Sequence, residues 1–138
     1  MSARRLLVVE DSKVIQRLIE VCLRPADIEV SFRDDGLAGL ATAIETAPDG
    51  VVLDVGLPEM DGWQVLSEIK RRPETSHIEV LLLTASADDE ARRRAAEYGA
   101  RVLAKPFAPD DLRRAVTEIT APREQSAEPA ASSESPAA

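Results

Sequence analysis

Five short apolar runs, each followed by apolar residues at helical spacing, constrain this chain more than any other feature. The first run covers residues 5–10, with Leu6, Leu7, Val8 and Val9 at its centre. Val14, Leu18, Val21 and Cys22 then recur at helical spacing until Pro25, which cannot continue a helix interior. Residues 28–32 alternate in strand fashion, and Leu37, Leu40, Ala41 and Ile44 form the next helical stripe. Residues 51–53 run into Asp54 and a loop carrying Pro58 and Gly62. Trp63, Leu66 and Ile69 form a third stripe that closes on Lys70-Arg71-Arg72, cations suited to the negative end of a helix. A fourth run over residues 78–84 precedes Asp88-Asp89-Glu90, acids suited to the positive end of the next helix. Residues 101–104 are the fifth run, and Leu112, Val116 and Ile119 mark a fifth helix starting near Pro109. Strict alternation of this kind predicts an α/β fold, a doubly wound parallel sheet covered by helices on both faces.

The chain has 138 residues, enough for one domain. Residues 121–138 are mostly Ala, Pro, Ser and Glu without a large apolar side chain, which predicts a disordered tail and places the folded domain within residues 1–120. Aromatic residues are only 3% of the chain, so the core must be aliphatic. Seventeen basic residues against 25 acidic ones give a net charge of −8, which argues against sequence-independent binding to nucleic acid. One cysteine excludes a disulfide framework, and one histidine leaves no Cys/His zinc site. The apolar stretch after Arg4-Arg5 stops at Glu10-Asp11, too soon for a signal peptide or a membrane span. The expectation is a cytoplasmic protein without membrane or nucleic-acid partners, a monomer or weak dimer.

The residues that end the strands carry the chemistry. The first strand ends at Glu10-Asp11, the third at Asp54, the fourth at Thr84 and the fifth at Lys105. In an open doubly wound sheet, ligands bind beyond the carboxyl ends of the strands, where strand order reverses. Three carboxylates, a hydroxyl and an ammonium are therefore predicted to meet in one crevice. Two carboxylates about 4 Å apart repel by roughly 4 kcal/mol at an effective dielectric of 20, so a cation or a proton must join them. Oxygen ligands of this kind suit Mg²⁺, or Mn²⁺. With Lys105 as a second positive charge, the crevice is a receptacle for a phosphoryl group, and Asp54 reads as its nucleophilic acceptor.

These residues resemble a response-regulator receiver domain of the stand-alone chemotaxis-regulator type, over the whole predicted domain. The resemblance rests on Val8-Val9-Glu10-Asp11, on Asp54-Val55-Gly56-Leu57-Pro58-Glu59-Met60-Asp61-Gly62, on Leu83-Thr84-Ala85 and on Lys105-Pro106-Phe107. It implies a flavodoxin-like five-stranded sheet in the order 2-1-3-4-5 with five helices. It implies that Asp54 accepts a phosphoryl group from the phosphohistidine of a sensor histidine kinase or phosphotransfer protein. Asp11, Asp54 and the Gly56 main-chain carbonyl would bind the metal, with Glu10 acting through a metal-bound water. Thr84 would hydrogen-bond the phosphoryl oxygens, Lys105 would pair with them, and Pro106 would follow a cis peptide. The switched surface would be helix 4, strand 5 and helix 5, facing a downstream protein.

Two departures from the family pattern bear on switching. Val102 stands where members usually carry Tyr or Phe, and the stretch from Gly99 to Lys105 is one residue shorter than usual. An inward-swinging aromatic ring therefore cannot report phosphorylation here, although Thr84 is still expected to move. The fourth helix offers only Ala91, Ala95, Ala96 and Tyr98 as apolar anchors, so it is expected to be held weakly and to shift as a unit, presenting Arg92, Arg93 and Arg94. Three other functions compete. An Mg-dependent phosphatase with an aspartate nucleophile needs a second acid two residues on, where this chain has Gly56. A flavin or nucleotide module needs a glycine- or hydroxyl-rich loop after the first strand, where this chain has Glu-Asp-Ser-Lys. A degenerate receiver that only binds partners would not need the full set of acids, Thr and Lys. His77 reads as a surface residue, Cys22 as a small core hydrophobe and Trp63 as the anchor of the third helix.

Overall fold

A computed structural model describes residues 3–121 of the chain. The predicted tail lies outside the described residues, apart from its first residue. Five strands and five helices alternate: β1 (Arg4–Val9), α1 (Lys13–Leu23), β2 (Ile28–Arg33), α2 (Gly36–Thr46), β3 (Gly50–Asp54), α3 (Gly62–Arg71), β4 (Glu79–Thr84), α4 (Asp89–Ala96), β5 (Arg101–Ala104) and α5 (Pro109–Ile119). All strand pairs are parallel and the order is β2-β1-β3-β4-β5, the flavodoxin-like arrangement.

Period-two alternation sorts the strand side chains into two cores. Leu7, Val9, Val51, Leu53, Val80 and Leu82 pack against one layer with Leu40, Ala43, Val65, Leu66, Ile69 and Ala95 of α2, α3 and α4. Leu6, Val8, Val52, Leu81 and Leu83 face the other layer, with Ile19, Cys22 and Leu23 of α1 and Leu112, Val116 and Ile119 of α5. Every residue of the central strand β3 is buried, as expected of a strand covered on both faces. The edge strand β2 instead alternates half-buried with exposed residues.

The helices begin where the capping chemistry allows. Ser12, Asp35, Asp61 and Asp88 each accept a backbone N–H from their helix's first turn, and Asp61 forms a reciprocal capping box with Gln64. α5 lacks a side-chain cap and starts instead with Pro109.

Two helical stripes fall differently from the sequence reading. On α1 the buried face is Ile15, half-buried, with Ile19, Cys22 and Leu23, while Val14, Leu18 and Val21 are 77%, 41% and 45% exposed. Apolar residues follow two helical rows offset by one position, about 100° of rotation, and the row that meets the sheet is not the one the spacing suggested. On α2, Leu37 and Ala41 point outward and the buried face is Gly36, Gly39, Leu40, Thr42 and Ala43. Small residues on that face bring the helix close to the sheet, which an apolar count does not register.

Candidate functional site

The site lies beyond the carboxyl ends of β1, β3, β4 and β5. β3 delivers Asp54, buried except for 4% of its surface. Its position is set from behind by the start of α3, because a Cβ on Gly62 would stand 2.5 Å from the Asp54 carbonyl oxygen and 2.7 Å from the Val55 Cα. Gly62 N–H in turn donates to the Val55 carbonyl at 3.0 Å. Glu10 follows β1 and is 1% exposed, whereas its neighbour Asp11 is exposed. One carboxylate oxygen from each of Glu10, Asp11 and Asp54 lies within 4.8 Å of the others.

β5 brings Lys105 to the same place. Lys105 Nζ donates to Asp54 Oδ1 at 3.1 Å and stands 3.7 Å from Glu10 Oε1. Its backbone N–H donates to the Thr84 carbonyl at 2.9 Å, tying the end of β5 to the end of β4, and the Lys105–Pro106 peptide is cis. Thr84 lies one step beyond Leu83, the register partner of Asp54. Thr84 is half-buried, and its hydroxyl accepts the Ser86 N–H at 3.1 Å. Gly56 is placed through its N–H, which donates to Asp54 Oδ1 at 3.2 Å. The structure therefore gathers Glu10, Asp11, Asp54, Gly56 and Lys105 around one point, with Thr84 at the adjoining strand end. Val102 is half-buried against the core beneath α2, α3 and α4. His77 precedes β4, at the opposite end of that strand from Thr84.

The electrostatics are strained in the direction a cation relieves. Burial pushes the Glu10 carboxyl above its ordinary value, and the Asp54 and Asp11 carboxylates add to the rise. The Ser12 N–H, which donates to Glu10 Oε2 at 3.0 Å, and the Lys105 ammonium oppose it. Glu10 Oε1 is buried and accepts no hydrogen bond among the described residues. A buried carboxylate oxygen without a donor is costly. One ammonium among three acids leaves room for further positive charge, so the donor set fits a hard divalent cation.

The sequence reading missed the residues that hold this cluster in place. Ser12 fixes Glu10 Oε2 through its N–H and caps α1 through its hydroxyl. Gln16 donates to the Glu10 carbonyl oxygen at 2.6 Å. A serine before a helical run is a legible cap signal, whereas nothing local marks Gln16. Trp63 also has an unforeseen partner, since the Arg94 guanidinium of α4 lies 4.3 Å from the centre of its ring.

Comparison with known proteins agrees with this fold. The family described as the response regulator receiver domain matches residues 6–117. The response regulator PleD of Caulobacter vibrioides is 43% identical over 113 residues, 81% of this chain and 24% of PleD. The chain spans less than half the length of the first curated relatives it matches. Among solved structures, a candidate response regulator from Chloroflexus aurantiacus J-10-fl superposes with a TM-score of 0.81 at 34% identity, covering 88% of this chain and 100% of that one. The receiver domain of the sensor histidine kinase PA1611 of Pseudomonas aeruginosa PAO1, with a magnesium ion coordinated in its active site cleft, superposes with a TM-score of 0.77 at 29% identity, covering 88% and 100%. The chain belongs to the response regulator receiver domain family, the phosphoacceptor switches of two-component signalling, phosphorylated on an aspartate.

Proposed function

We propose that Asp54 is the phosphoacceptor and that it takes its phosphoryl group from the phosphohistidine of a sensor histidine kinase or phosphotransfer protein. The observation that carries this reading is the Lys105 ammonium 3.1 Å from Asp54 Oδ1, at a strand end where Glu10 and Asp11 converge. In the transfer, an Asp54 oxygen forms a bond to phosphorus as the phosphorus–nitrogen bond breaks, and the imidazole nitrogen keeps the electron pair. The product is an acyl phosphate on Asp54, and its hydrolysis by water returns the carboxylate. Asp11, Asp54 and the Gly56 main-chain carbonyl would hold Mg²⁺, or Mn²⁺, with Glu10 acting through a bound water. A divalent ion bound there supplies positive charge against the carboxylates and the incoming phosphoryl oxygens.

Lys105 orients the acceptor oxygen before transfer and pairs with the phosphoryl oxygens after it. Thr84, whose hydroxyl accepts the Ser86 N–H, donates its own hydroxyl proton to a phosphoryl oxygen. The output is a change in the face made by α4, β5 and α5, read by a downstream protein. Support for movement there comes from α4, whose only buried residue is Ala95. Val102 is too small to repeat an aromatic swing, so the shift is carried by α4 itself. The protein acts in the cytoplasm, through protein contacts.

Incubation with acetyl phosphate and Mg²⁺, followed by intact mass measurement, tests the acceptor. A gain of one phosphoryl group that is absent from Asp54→Asn and from chelator-treated protein is the expected result. Labelling that persists in Asp54→Asn, or its absence from the unaltered protein, overturns the reading.

A further inference from the structure

The turn that carries Glu10 and Asp11 lies beyond the last register pairs of β1, Val9 with Arg33 and Val9 with Leu53. Sheet hydrogen bonding does not hold it, apart from the Glu10 N–H that donates to the Arg33 carbonyl at 3.0 Å. Two carboxylates in one turn, facing a third on β3, push it outward. The Gln16 side chain opposes that push. Its Nε2 donates to the Glu10 carbonyl oxygen at 2.6 Å and to Asp34 Oδ1 at 2.8 Å. Both partners are pure acceptors, so the amide nitrogen must face them. Asp34 lies just after β2 and also receives Lys13 Nζ, at 3.0 and 3.1 Å. The Gln16 hydrogen bond, and then Lys13, holds the Asp34 carboxyl below its ordinary range, so it remains an anion and a strong acceptor. With Ser12 holding Oε2, three of the four polar atoms of Glu10 are fixed and only Oε1 remains for the site.

We propose that Gln16 and Asp34 are a positioning pair, which locks the turn carrying Glu10 and Asp11 to the segment after β2 and so presets the divalent-cation site. The inference rests on the phosphoacceptor reading above. Gln16 touches neither the phosphoryl group nor the ion; it acts through the Glu10 main chain. Supporting residues of this kind typically govern metal affinity by about 10- to 100-fold.

Calorimetric titration of the full chain with Mg²⁺ tests the pair, with amide exchange of the metal-free protein alongside. Gln16→Leu removes no charge, so a weakening of Mg²⁺ binding by about tenfold or more, with faster exchange at the Glu10 and Ser12 amides, is the expected result. Asp34→Ala should weaken binding comparably, and Asp34→Asn, which keeps an oxygen for the Gln16 amide, should recover most of that loss. The double variant Gln16→Leu/Asp34→Ala should be little weaker than either single one, because both break the same link. Mg²⁺ affinity unchanged in both Gln16→Leu and Asp34→Ala, with the unaltered protein binding Mg²⁺ and being labelled by acetyl phosphate, overturns the positioning pair alone. Failure of the unaltered protein to bind Mg²⁺ or to be labelled overturns the phosphoacceptor reading and the pair together.

Discussion

Replacing Gly62 by alanine probes how tightly the acceptor strand is fixed. The new Cβ would meet the Asp54 carbonyl oxygen at 2.5 Å, the Val55 Cα at 2.7 Å and the Asp54 carbonyl carbon at 3.0 Å. All three are backbone atoms of the strand end, so no side chain can rotate away. Relief requires the start of α3 to retreat, loosening Val65 and Leu66 in the core behind it. Overpacking of this kind costs about 1–3 kcal/mol. Alanine's better helix propensity, up to about 1 kcal/mol in a helix interior, offsets part of that cost at this first helical position. The net expectation is a loss of about 1.5 kcal/mol, and for a domain of this size a fall in melting temperature of roughly 5–9 °C.

Gly56 is the control for stability. A Cβ there meets Asp54 Oδ1 at 3.9 Å, an ordinary contact, so Gly56→Ala should stay within about 0.5 kcal/mol of the unaltered protein. Urea and thermal unfolding, followed by circular dichroism, measure both. The reasoning is refuted if Gly62→Ala unfolds at the same midpoint as the unaltered protein, or if the two variants lose equal stability.

Three further expectations follow from the same contacts. Lys105→Ala removes the donor to Asp54 Oδ1, and labelling by acetyl phosphate should slow by about 100-fold or more, read by mass spectrometry over time. Burial raises the Glu10 carboxyl, so the folded state holds that proton to a higher pH than the unfolded chain. Its stability contribution is therefore greatest at low pH and lost as pH rises through the raised value. In chelator, the stability of Glu10→Gln relative to the unaltered protein should accordingly grow as pH increases from about 4.5, the ordinary value; a difference constant with pH in urea titrations contradicts the assignment. Arg94→Ala removes the cation stacked on Trp63. It should loosen α4 by about 0.5–1 kcal/mol, seen as faster amide exchange over Asp89–Ala96 and a changed emission from the chain's single tryptophan.

The alternation of strand and helix and the polar residues that close each strand were legible from the chain alone. Apolar runs of period two and stripes of period near 3.6 define the elements. A parallel sheet then sends all its carboxyl ends to one rim, so Glu10, Asp11, Asp54, Thr84 and Lys105 fall along the same edge of the sheet. Orientation was not legible. α1 carries apolar residues on two adjacent rows, and only docking on the sheet chose Ile15, Ile19, Cys22 and Leu23 over Val14, Leu18 and Val21. The contacts that steady the site also depended on tertiary structure. Gln16 reaches Asp34 across 18 positions and Arg94 reaches Trp63 across 31; no periodicity records a contact between elements brought together only by folding. Local patterning sets what each segment becomes because backbone hydrogen bonds and side-chain period act over a few residues, while the facing of helices and the bracing of the acidic turn follow from how separate surfaces fit.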